Sequence, residues 1–308
     1  MKLLFRTILV LAILIAILYC WFNPNIRASF LSFDLNYLAL ICFYYLLFYG
    51  LNALALLLLA RKNSKEVSFF QILGISQFSS LVGYTLPLRI ANIGVRAVYL
   101  KRRFQIPIGE TIGGGLILTL MSLIISAITL LIFGAKYLGD ISNDRAWLLV
   151  SFFFICCALL LVLYLYRMNL NTYFITRFPK LESLKRGITQ LTVNDIILLL
   201  FISLLVFLIT GLINLALISG VGMEASLTLC LLLAAAGNIS FLVALAPANL
   251  GTKELFYVAI GALYGLNASG IIAFLIIDRL VQITFLSISS IIFYFSEGKP
   301  QGLVQLGD

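Results

Sequence analysis

The stretch Pro247-Ala248-Asn249-Leu250-Gly251-Thr252-Lys253-Glu254 decides how this chain is built. It ends an apolar run, Leu227–Ala246, that would otherwise read as one more membrane-crossing helix. Proline lacks a backbone donor and its ring clashes with the preceding turn, so the helix breaks there. Broken backbone at membrane depth survives only where protein or a wet cavity surrounds it. Charged side chains at that depth face the bundle interior and find partners. The stretch therefore predicts a broken helix or re-entrant hairpin whose second arm starts near Gly251.

A second stretch repeats the pattern. Phe69–Leu86 runs into Pro87 and then into the basic segment Arg89–Arg103. Asn92-Ile93-Gly94-Val95-Arg96 and Asn249-Leu250-Gly251-Thr252-Lys253 share an Asn-apolar-Gly core followed by a cation. Six further segments are long and apolar enough to cross about 30 Å of hydrocarbon. They are Leu4–Phe22, Asn36–Ala60, Ile108–Phe133, Ala146–Tyr166, Ile196–Ser219 and Ala268–Phe295. The runs are continuous and not alternating, which argues against a β-barrel. The expected fold is an all-α, polytopic membrane helix bundle. It has about six full spans plus two broken or re-entrant hairpins, in a single domain over residues 1–308. The two copies of the Pro-break unit, about 36–134 and 195–295, are expected to lie in opposite orientations.

Composition agrees. Of 308 residues, 62% are hydrophobic and only 11% charged, with a mean hydropathy of +1.12. A soluble domain carries about a quarter charged residues, so this chain cannot clothe a water-facing surface. Met1–Cys20 has Lys2 and Arg6 before an apolar run but no small-residue cleavage site, and is read as an uncleaved first helix. Lys and Arg cluster after the second span and in the basic segment, and in the middle loop with Arg167, Arg177, Lys180, Lys185 and Arg186. By the positive-inside rule both termini are expected in the cytoplasm, in a multi-pass protein of the inner membrane. The net charge of +9 then expresses that bias and an affinity for anionic headgroups. No nucleic-acid partner is expected.

There is no histidine. That removes histidine acid–base chemistry, histidine metal sites and the usual nucleophile pairs. Cys20, Cys42, Cys156, Cys157 and Cys230 lie in apolar runs without Cys-x-x-Cys spacing and are read as packing residues. No catalytic residue, metal or cofactor is expected, and the chain is not expected to be an enzyme.

Three sets of polar residues are binding candidates. Arg89, Asn92 and Arg96, continuing to Tyr99 and Arg103, recur at helical spacing and stack on one face. They would form a cationic track for a lipid phosphate, or an anchor in the headgroups. Asn249, Gly251, Lys253 and Glu254 sit where a half-helix would begin, with free N–H groups and the positive dipole end. Asp278 and Arg279 lie inside the last apolar helix. Helical neighbours point about 100° apart, so each needs a partner elsewhere. Lys253 for Asp278 and Glu254 for Arg279 would balance the charges. Asn52, Asn214, Asn238 and Gln282 are read as interhelical hydrogen bonds. Glu110 with Gly113-Gly114-Gly115 is read as close packing.

These residues resemble a known family. Leu86-Pro87, Gly94 and Arg96 resemble the first motif of the lysylphosphatidylglycerol synthase transmembrane (flippase-like) family. Pro247 through Glu254, then Gly265 and Asp278-Arg279, resemble its second motif. The first half departs from the pattern. Leu118-Thr119-Leu120-Met121 stands where the family usually carries a Glu-Arg pair. With no soluble aminoacyl-transferase domain in this sequence, the resemblance implies the lipid-handling part alone. It implies a transporter-like protein that binds an anionic phospholipid or polyprenyl-phosphate-linked lipid and moves its headgroup across the bilayer. The rival expectation is a non-catalytic accessory or scaffold protein for a membrane glycosyltransferase or another envelope-biosynthesis partner.

Overall fold

The computed structural model describes residues 22–85, 90–134, 179–243, 249 and 251–296. Among them are ten α-helices and no strand. We number them α1 (Pro24–Leu31), α2 (Asn36–Arg61), α3 (Phe69–Thr85), α4 (Ile90–Phe104), α5 (Ile108–Thr129), α6 (Pro179–Thr189), α7 (Val193–Gly220), α8 (Leu227–Val243), α9 (Thr252–Leu263) and α10 (Ala268–Ser296). A π-helical turn, Leu130–Gly134, extends α5.

Four helices, α2, α5 with its extension, α7 and α10, are long and apolar enough to span a bilayer. They coincide with four of the six expected spans. The other two, Leu4–Phe22 and Ala146–Tyr166, fall outside the described residues apart from Phe22. At 1.5 Å per residue, the 26 residues of α2 reach about 39 Å, whereas the 12 residues of α9 reach only about 18 Å.

Both Pro-interrupted stretches form pairs of separate helices. α4 packs back on α3, and α9 packs back on α8. The direction is antiparallel in each. Asn92 meets Ser79 and Ser80 while Arg96 reaches Ser76. Asn249 meets Ser240 while Tyr257 lies against Gly237. The pairs then exchange neighbours. α3 packs on α10 and α8 on α5, while α2 and α7 pack on each other. Helix association in lipid gains little from the hydrophobic effect, because acyl chains are as apolar as leucine; small residues and interhelical hydrogen bonds do more. Gly211 of α7 abuts Leu231, Gly114 of α5 abuts Leu59, and Gly74 of α3 abuts Phe293.

Two short helices were not foreseen. Asn23 caps α1 through its side chain, and Pro24 occupies the first turn, where its missing N–H costs nothing. Part of the expected middle loop is helical: α6 docks on the start of α5. Gly109, Gly113 and Gly187 allow this approach. An added Cβ on Gly187 would stand 2.5 Å from the Glu110 carbonyl oxygen, and one on Gly113 2.6 Å from that of Leu184. The cluster after Pro107 is packing, as its small side chains suggest.

Three of the four lone polar residues bridge helices. Asn214 donates to the Cys230 carbonyl, Asn238 to Ser126 Oγ and Gln282 to Tyr49. Asn52 does not: its amide returns to the Phe48 carbonyl in its own helix at 2.8 Å. The carbonyl one turn back satisfies it locally.

Candidate functional site

The second helix pair assembles the charged cluster. Asn249 takes a left-handed backbone, φ 58°, which asparagine tolerates better than most residues. It is 2% exposed, and its amide donates to Ser240 Oγ at 2.5 Å. Gly251 follows with φ 81° and ψ −44°, a conformation only glycine holds without strain. It caps α9. Glu254, one turn in, reaches back so that its Oε2 accepts the Gly251 N–H at 2.8 Å.

The other Glu254 oxygen turns to the last helix. Oε1 accepts Arg279 Nε at 3.0 Å and Nη2 at 2.5 Å. One residue earlier on α9, Lys253 Nζ donates to Asp278 Oδ2 at 2.8 Å and sits 5.1 Å from the Tyr257 ring centre. Both expected pairings are present. Consecutive residues on α9 pair with consecutive residues on α10, because neighbours on either helix diverge by about 100°.

Asp278 is 4% exposed and has a second partner: Tyr45 of α2 donates to its Oδ1. One turn on, Gln282 Nε2 donates to Tyr49 Oη at 2.9 Å, and Tyr84 of α3 donates to Gln282 Oε1. A polar ladder thus runs from Lys253 through Asp278 to Tyr45, with Gln282, Tyr49 and Tyr84 beside it. It ties α9 and α10 to α2 and α3.

The first helix pair holds its cation differently. Arg96 Nε donates to Ser79 Oγ at 2.7 Å, which in turn donates to Asn92 Oδ1 at 2.8 Å. Arg96 Nη2 reaches the Ser76 carbonyl and Ser80 Oγ, each at 3.4 Å. Asn92 and Arg96 therefore face α3, while Lys101, Arg102 and Arg103 are exposed. Ala97 and Leu100 of the opposing stripe are buried. Arg89 falls outside the described residues.

In both pairs the asparagine of the second arm binds serine on the first arm, and the cation four positions on is engaged across an interface. The sequence reading found those asparagines and cations. It missed Ser79, Ser80, Ser240, Tyr45, Tyr49 and Tyr84. The four-residue spacing of Tyr45 and Tyr49, which puts both hydroxyls on one face of an apolar helix, was the available signal. Among the described residues there is no cluster of metal-ligating side chains.

Helix lengths, paired short helices and partnered charges in an apolar bundle define a multi-pass membrane protein. Residues 9–290 match the family model for the lysylphosphatidylglycerol synthase TM region. The chain belongs to that family, as its two Pro-break motifs implied, and the match covers the transmembrane region alone. No curated protein and no solved structure matches it.

Proposed function

We propose that this protein is a flippase-like transporter that binds an anionic phospholipid or a polyprenyl-phosphate-linked lipid and passes its headgroup across the membrane. One observation carries the reading: Lys253 and Arg279, each paired with a carboxylate, lie beside the capped start of α9, a helix too short to span. Charges inside an apolar bundle are costly and mark substrate paths. A helix N-terminus with adjacent cations suits a phosphate. The family to which the chain belongs supports a lipid-related role.

In this reading the two Pro-break units are inverted repeats, and both helix pairs are re-entrant. The matched exchange of neighbours, α3 with α10 and α8 with α5, supports it. The substrate headgroup passes between the halves while its tails stay in lipid. Arg89, Asn92 and Arg96 serve the cytoplasmic face. Asn249, Gly251, Lys253, Glu254, Asp278 and Arg279 serve the other. No catalytic step is required. The test is reconstitution into vesicles containing a fluorescent phosphatidylglycerol, with surface quenching to read headgroup inversion. The reading requires inversion faster than in empty vesicles, slowed at least tenfold by Lys253→Met with Asp278→Asn. Inversion at the empty-vesicle rate for phosphatidylglycerol and for a polyprenyl phosphate would reject it.

A further inference from the structure

The cations proposed to receive the lipid are already occupied, each by a carboxylate of the protein. An arriving phosphate must displace them, and the displaced carboxylates would remain buried beside a second anion. Like charges in such a site cannot both stay ionised without a large penalty. The two carboxylates differ in how they can respond. Glu254 is held by the Gly251 N–H on one oxygen and by two guanidinium N–H groups on the other. Asp278 is more deeply buried and is held by one ammonium and one neutral phenol.

We infer that Asp278 is a proton site, and that the anionic headgroup enters between Lys253 and Arg279 together with one proton taken up by Asp278. The inference rests on the transport reading above and names its co-substrate. The Lys253–Asp278 ion pair breaks. The proton passes from water to Asp278 Oδ2, Lys253 turns to the phosphate, and net charge at the site is unchanged. Tyr45 suits both states. Its hydroxyl donates to Oδ1 of the carboxylate now, and with the proton on Oδ2 the carbonyl oxygen Oδ1 can still accept it. Tyr257 keeps the ammonium near by its ring face.

Other groups facing this point are few. α9 brings Lys253, Glu254 and Tyr257; α2 brings Tyr45 and Tyr49; α3 brings Tyr84; α10 itself adds Arg279 and Gln282. Of the other helices against α10, α1 carries one ionisable residue, the exposed Arg27, and α7 one, Asp195, which pairs with Lys62 at the C-terminal end of α2. The tyrosines are neutral hydroxyls near neutral pH, so Asp278 is the group able to take the proton. Asp278 and Tyr45 join α10 to α2, so protonation also turns a charge-assisted hydrogen bond between the two proposed halves into a weaker neutral one.

The test is proton counting on the purified full chain. Dioctanoyl phosphatidylglycerol is titrated calorimetrically in buffers of differing ionisation enthalpy. The wild type is expected to take up about one proton per lipid, and its affinity to rise up to about tenfold for each pH unit lowered. The sign follows from a group more protonated in the bound state. Asp278→Asn, standing in for the acid form, is expected to bind with no proton uptake and no such pH slope; Glu254→Gln is expected to keep the uptake. Lipid binding by the wild type without proton uptake overturns the proton site and leaves the transport reading intact. No binding of the lipid at any pH overturns both. Uptake that persists in Asp278→Asn moves the site elsewhere and overturns the assignment.

Discussion

Glu254 and Arg279 form an ion pair in which one carboxylate oxygen takes two guanidinium N–H groups, at 3.0 and 2.5 Å, while the other oxygen caps α9 at Gly251. The pair therefore fixes where a short helix begins relative to a long one. Truncation to Glu254→Ala removes the cap and takes a carboxylate away from Arg279, costing about 3 kcal/mol of stability. Glu254→Gln keeps an oxygen for the Gly251 N–H and loses only the charge, so its cost is about half that. Thermal unfolding in detergent should rank the two in that order.

Gly251 makes a sharper prediction because space plays no part in it. No heavy atom lies within 4 Å of where its Cβ would stand. Its φ of 81° and ψ of −44° are the whole obstacle. Gly251→Ala should cost about 1–3 kcal/mol from backbone strain alone. Gly94→Ala, also in open space but with no left-handed φ, should be neutral or slightly stabilising by helix propensity. Melting temperatures of the two variants check this.

Ion pairs of similar length should differ sharply in worth. Lys62 and Asp195 lie 2.6 Å apart with 32% and 21% of their side chains exposed. Lys62→Ala should cost less than about 1 kcal/mol. Lys253→Met leaves Asp278 buried without its cation and should cost about 3 kcal/mol. Adding Asp278→Asn to Lys253→Met should return much of that loss. A double-mutant cycle by thermal unfolding measures the coupling.

The docking of α6 depends on three glycines. At Gly113 and Gly187 an added methyl meets backbone carbonyls at 2.6 and 2.5 Å, which cannot swing aside. At Gly115 it meets only the Ile93 side chain, at 3.8 Å. Gly113→Ala and Gly187→Ala should release α6, seen as faster amide exchange across residues 179–189. Gly115→Ala should leave that exchange unchanged.

Features whose energetics admit few solutions were readable from sequence. A charged side chain in an apolar helix must find its opposite, so Lys253 with Asp278 and Glu254 with Arg279 followed from charge balance. Proline beside polar residues in an apolar run marked both helix breaks. Serine and tyrosine gave less warning. A serine in a helix can satisfy itself on a carbonyl one turn back, as Ser80 does on Ser76. Nothing local shows that it also takes Arg96. Tyr45 and Tyr49 lie in an apolar run, and their partners show only where α10 brings Asp278 and Gln282 opposite them. The helix α6 hid in a polar, charged segment because its anchor is a stripe of absent side chains. Asn52 reverses the case: expected to bridge helices, it had a closer acceptor in its own.

In the proposed function Lys253, with Arg279 beside it, receives an anionic lipid. Native mass spectrometry of the gently extracted protein tests it most directly, comparing the wild type with the charge-balanced Lys253→Met, Asp278→Asn variant. An anionic lipid is expected to stay with the wild type and to be depleted at least tenfold in the variant, with zwitterionic lipids unaffected. Equal retention of anionic lipid by both proteins would contradict it.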